Sequence, residues 1–153
     1  MTRPQRLLLV VAAVFAVTLS EATTAPATYP YTLGGGTASA GDIGTPVLSN
    51  GVVLNANGTI TVPAGVTSFT VTVPTIQDSI DEPNETVPLT IGGVPASGTI
   101  VDDDGAPTVV SVQPGPAGDA VTEGDTLAYT VTQSNASYQD VSFTFDLGTG
   151  GTA

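Results

Sequence analysis

Hydrophobic and polar positions along this chain alternate in short runs, and the runs are separated by Gly, Pro, Asn and Asp. Residues 28–33 and 52–54 read as strands. Asn57-Gly58 is the strongest short hairpin signal in the chain. It joins 52–54 to a strand at 59–62. After the turn Pro63-Ala64-Gly65, residues 66–73 (VTSFTVTV) alternate almost strictly, with Val66, Phe69, Val71 and Val73 largely on one face. Strands are predicted at 86–91 and 99–101, separated by Gly92-Gly93 and a turn over 95–98. Beyond Asp102-Asp103-Asp104-Gly105-Ala106-Pro107, a boundary by composition, strands are predicted at 109–112, 126–132 and 141–145. Nothing after the first 22 residues has a helical period. Short strands every 8–12 residues or so, with turn residues between them, predict an all-β fold, an antiparallel β-sandwich of two sheets.

The ends of the chain complicate this pattern. Arg3 and Arg6 precede an apolar run, LLLVVAAVFAV over 7–17, which is too short to span a bilayer comfortably. Ser20-Glu21-Ala22 has the small-x-small form of a cleavage site, so 1–22 resembles a secretory signal peptide and implies an extracellular destination. The alternative is a mis-assigned start. An internal repeat supports that alternative: VTLSEATTAPATYPYTLGGGTA at 17–38 returns as VTQSNASYQDVSFTFDLGTGGTA at 131–153, with one residue inserted. In the second copy an alternating strand, Gly124-Asp125-Thr126-Leu127-Ala128-Tyr129-Thr130, comes first. In the first copy the leader occupies that place. The expected organisation is a leader at 1–22, one repeat over 16–104 lacking its first strand, and the start of a second, truncated repeat over 105–153.

Composition adds a constraint. Fourteen carboxylates face two cations, and from Leu7 to the end there is no Lys, Arg or His. Nucleic-acid binding through phosphates is excluded, since nothing replaces the released counterions. Buried acids have no side-chain cation to pair with, so an acidic cluster must be solvated, protonated or neutralised by a metal ion. The chain has no cysteine, which removes disulfides and thiolate ligands. With no His, Cys or Lys in the chain and no serine beside an activating base, enzymatic chemistry is not expected. A glycosidase pair of carboxylates would need an aromatic platform for the sugar, and aromatics are few.

The acids fall in three places around one repeat. Asp42 follows the turn GGGTASAG. Asp78, Asp81, Glu82 and Glu85 lie in the loop QDSIDEPNET. Asp102, Asp103 and Asp104 end the repeat. Two carboxylates about 5 Å apart repel by roughly 3 kcal/mol at an effective dielectric near 20. A hard cation relieves that repulsion. Calcium takes six to eight oxygens in irregular geometry, whereas magnesium demands a tighter octahedron and zinc prefers His or Cys.

The series GTASAGD, a strand pair, DSIDEPNET and GTIVDDD resembles the Calx-β domain, in particular the copies in large, type-I-secreted bacterial repeat adhesins. The resemblance implies an immunoglobulin-like sandwich in tandem repeats. It implies a calcium site at Asp42, Asp78, Glu82, Glu85, Asp102, Asp103 and Asp104. The Glu of the family's early turn corresponds to Glu123 in the second repeat, and its place in the first falls near Leu9. Asp81 has no role in that pattern. The function implied is a calcium-rigidified spacer in a secreted cell-surface adhesin, serving adhesion or cell communication. Its partners would be neighbouring repeats and, through other domains, a host or substratum surface. The alternatives are a regulatory calcium-sensing module of a membrane-associated protein and a calcium-independent module binding protein or glycan.

Overall fold

The computed structural model describes residues 12–115 and 120–147. Arg3, Arg6, Leu9 and the first part of the leader lie outside these residues, as does the closing stretch of the second repeat copy. The described chain is all-β, with no helix. Its strands are β1 (Ala12–Thr18), β2 (Ala27–Leu33), β3 (Val47–Leu48), β4 (Val53–Leu54), β5 (Thr59–Val62) and β6 (Ser68–Pro74). They continue as β7 (Ile80–Asp81), β8 (Glu85–Ile91), β9 (Val94–Ile100), β10 (Val109–Pro114), β11 (Tyr129–Gln133) and β12 (Ala136–Ser137). These strands fall into two compact units: residues 12–78 with 84–101, and residues 79–83 with the described part of 102–153.

The first unit contains two antiparallel sheets, one ordered β1-β6-β3 and one ordered β4-β5-β2-β8-β9. Side chains from both enter one core, an arrangement consistent with a β-sandwich. Phe15 comes from β1, and Phe69, Val71 and Val73 come from β6. Tyr31, Ile60, Val62, Leu89 and Ile91 come from the larger sheet. Alternation explains the division: along β6 the burial switches residue by residue, with Phe69, Val71 and Val73 inside and the intervening Thr70 and Thr72 less buried. Each of the fully enclosed Ile60, Val62, Val71, Val73 and Leu89 side chains contributes about 1.5–3 kcal/mol through burial.

The hairpin at Asn57-Gly58 forms where expected, with a three-residue loop: Leu54 lies opposite Ile60, the Asn55 N–H donates to the Thr59 carbonyl at 2.8 Å, and Gly58 rather than Asn57 takes the positive φ, 77°. The later part of the leader's apolar run, from Ala12, forms β1, in antiparallel register on β6 from Ala12 opposite Pro74 to Thr18 opposite Ser68. Cleavage after Ala22 would therefore remove a core strand.

Two expectations need correction. Residues 95–98 are not a turn: β9 runs unbroken from Val94 to Ile100. The reversal occurs at Gly92-Gly93, both at positive φ, with Ile91 directly opposite Val94. Pro95 is tolerated because β9 is an edge strand and Pro95 lies opposite Thr90, one step beyond the pair that closes the hairpin. On that step the backbone nitrogen points away from β8, so the missing N–H costs no ladder bond. Residues 141–145 form no strand; among the described residues none pairs with them, and Phe145 is exposed.

In the second unit β10 and β11 pair antiparallel, with a register shift between Val109 and Ser111. The pairing of β7 with β12 is parallel, Ile80 with Ala136 and Asp81 with Ser137.

Candidate metal centre

In the first unit the turn after GGGTASAG is tied down by its own polar groups. The Ser39 N–H donates to Asp42 Oδ2 at 2.6 Å, and the Gly41 N–H donates to Ser39 Oγ at 3.0 Å. This Ser-x-x-Asp spacing lets a short side chain satisfy backbone donors that no strand partner reaches. The turn is also laced to the end of β6. The Asp42 carbonyl accepts the Ile76 N–H at 2.9 Å, Ile43 bridges Thr75, and the Gly44 N–H donates to the Pro74 carbonyl at 2.8 Å.

A second set of bonds holds this segment against the start of β8. The Thr86 N–H donates to Thr37 Oγ1 at 2.8 Å, and the Thr37 N–H donates to Thr86 Oγ1 at 3.2 Å. The Ala38 N–H donates to the Thr86 carbonyl at 3.2 Å. Gly36 is required here, because a Cβ on it would overlap the Thr86 carbonyl oxygen and the Pro88 ring. The threonine clamp brings Asp42 and Glu85, distant in sequence, to one place: each offers a carboxylate oxygen within 4.8 Å of the other. Two oxygens sharing one calcium at 2.3–2.6 Å lie no more than about 5 Å apart, so the pair fits that donor geometry. Both residues are half-buried, whereas Asp78, in the same unit, is exposed.

The remaining predicted ligands belong to the second unit. Glu82 stands three positions before Glu85, and its N–H donates to Asp102 Oδ2 at 3.2 Å. Asp102 and Asp104 are half-buried and Asp103 is exposed. Glu123 is exposed in a turn closed by the Asp125 N–H on the Thr122 carbonyl at 2.9 Å.

Among the described residues, Asp81, which had no role in the sequence pattern, is the buried acid. It is 7% exposed, and Ser137 Oγ donates to its Oδ2 at 2.7 Å. The Tyr138 N–H donates to its carbonyl at 3.0 Å. Ser137 is itself held, since its hydroxyl accepts the Gln139 N–H at 2.9 Å. No local signal marks this contact, whose partners are far apart in sequence. By contrast, the Ser39-x-x-Asp42 turn was visible as a spacing, although the sequence reading gave Ser39 no part in it.

Comparison with known proteins returned no matching family model, curated protein or solved structure.

Proposed function

We propose that this chain is a calcium-binding structural module, a repeat unit of a secreted cell-surface adhesin that uses the ion to stiffen an extended spacer. The observation that carries this reading is the convergence of Asp42 and Glu85 in a stretch that contains no Lys, Arg or His from Leu7 onward. Two half-buried carboxylates brought this close repel, and a hard cation with oxygen ligands is the simplest source of compensation. The Calx-β resemblance adds Asp78 in the first unit, and in the second unit it implies Glu82, Asp102, Asp103 and Asp104 as ligands, with Glu123 for the second repeat. The immunoglobulin-like type of the sandwich and its tandem repetition belong to the same proposal.

Mechanically, the acids repel in the absence of calcium and the segments carrying them loosen. With calcium they share an ion and the segments are fixed. At calcium about 100 times its dissociation constant, binding adds roughly 2.7 kcal/mol to stability. The test is a melting curve in calcium and in chelator. The midpoint is expected to rise with calcium, and an unchanged midpoint sinks the metal reading. Asp42→Asn and Glu85→Gln sharpen it. Each should raise the midpoint in chelator, by relieving repulsion, and reduce the calcium-induced rise.

A further inference from the structure

Among the described residues, β1 is an edge strand with β6 as its only sheet neighbour. In an antiparallel ladder, alternate residues direct their N–H and C=O groups to opposite edges. The Leu19 N–H donates to the Thr67 carbonyl at 2.8 Å, which continues the β1–β6 register. Phe15, Val17 and Leu19 therefore turn their backbone groups toward β6, and Val14, Ala16 and Thr18 turn theirs toward the outer edge. A groove of about 370 Å³ in the first unit runs beside this part of β1, with Phe15, Val17, Leu19, Tyr29, Ile91 and Val94 among its walls. Glu21 is the one acid that lines it.

The second unit contains the sequence equivalent of β1 with that edge filled. Aligning Val17-Thr18 with Val131-Thr132 places Val14, Ala16 and Thr18 on Ala128, Thr130 and Thr132. Those are the residues that face β10. The Gly115 N–H donates to the Ala128 carbonyl at 2.8 Å, Gln113 lies opposite Thr130, and Ser111 lies opposite Thr132. The same alternate positions thus present backbone groups in both units. In one they are used by a strand, and in the other two of them, Ala16 and Thr18, border a groove.

We propose that β10 of a second copy of this chain adds antiparallel to the outer edge of β1, leaving β11 to do so, with Val112 opposite Val17 and Gln113 opposite Ala16. Three features select this occupant. Residues 108–115 (TVVSVQPG) contain no ionisable group, so the segment enters a nearly uncharged groove without adding to the repulsion between molecules of charge −12. Val112 is 59% exposed beside β11, yet on β1 it would share the core-facing side with Val17. The β10–β11 pair is a two-stranded ladder, the least stable kind of sheet to give up. Because the donor strand and the acceptor edge are different surfaces, the contact is heterologous and extends from copy to copy unless two chains exchange reciprocally.

The test uses full-length Val17→Cys and Val112→Cys variants, mixed and mildly oxidised; the parent chain has no cysteine. Val112 and Val131 form a pair that is not hydrogen-bonded, the closer kind across a ladder, so the equivalent Val112–Val17 pair suits a disulfide. A mixed disulfide dimer is expected to form roughly tenfold or more faster than between Val17→Cys and a Val53→Cys control on exposed β4. Placing Ala16→Pro in the Val17→Cys chain removes an outward N–H but no bond to β6, and should return the rate to that of the control. Equal rates for Val112→Cys and Val53→Cys overturn the proposal. So does a Val17→Cys/Val112→Cys double variant that closes only within single chains at every concentration.

Discussion

Two buried polar side chains show what a single residue contributes here. Asp81 keeps its carboxylate inside the protein by accepting the Ser137 hydroxyl. Ser137→Ala removes a hydrogen bond to a buried acid, and the expected cost is about 1.5–3 kcal/mol. Hydrogen exchange at Ile80–Asp81 and Ala136–Ser137 should report it as faster opening, and unchanged protection there would mean that the bond contributes nothing. Tyr31 is the converse case. Its hydroxyl is buried with no hydrogen-bond partner, and burial raises its pKa above the usual value of 10.0. The folded chain therefore holds this proton at a pH where the unfolded chain releases it. The associated stability is complete below the unfolded pKa and is lost as pH rises from about 10 through the higher folded value. Tyr31→Phe should be neutral or slightly stabilising at pH 7, within about 0.5 kcal/mol, since it deletes a polar atom that nothing satisfies. Urea melts at pH 9 and pH 11 should show a smaller alkaline loss in the variant; an equal loss assigns it to other groups. Neither Asp81 nor Tyr31 was marked by sequence, because burial and pairing of a polar group are set by segments remote along the chain.

At the scale of elements, local chemistry decided what could be read in advance. The Asn57-Gly58 hairpin was legible because its turn residues carry their own conformational preference and the flanking alternation agrees with it. The buried face of β6 was legible for the same reason. Pro95 and Gly98 misled, since their turn character is overridden when an edge strand can point its missing N–H outward. Residues 141–145 have the composition of a strand, but a strand also needs a neighbouring edge, which composition does not supply. The leader is the sharpest case. Its apolar run has the features of a signal peptide, yet residues 12–18 form a strand that places Phe15, 8% exposed, in the core. Phe15→Ala is expected to cost about 3–5 kcal/mol through lost burial and the cavity left behind. Denaturant melts measure this directly, and a loss below about 1 kcal/mol would show that β1 is dispensable to the first unit.

For the molecule as a whole, charge governs behaviour more than any one contact does. The acids at Asp42 and Glu85 were legible as candidates from their places in the repeat and the Calx-β resemblance, in a stretch where the absence of cations leaves carboxylates few ways to be neutralised. Their convergence was not legible, since it depends on the Thr37–Thr86 clamp joining segments far apart in sequence. Nor did spacing reveal that Glu82 and Glu85, three residues apart, fold with different units. A net charge of −12 at pH 7 makes the folded state repel itself wherever acids approach one another. In chelator, raising the ionic strength from about 0.01 M to 0.1 M shortens the screening length from about 30 Å to about 10 Å and should raise the melting midpoint. Saturating calcium should flatten that dependence, because a bound ion cancels at short range what salt screens at long range. The two slopes separate specific binding from general screening. Parallel slopes with and without calcium would mean that calcium acts only as a divalent salt. A flat slope in calcium and a steep one in chelator would locate the repulsion at the site itself, and Glu85→Gln should then lower the chelator slope as well.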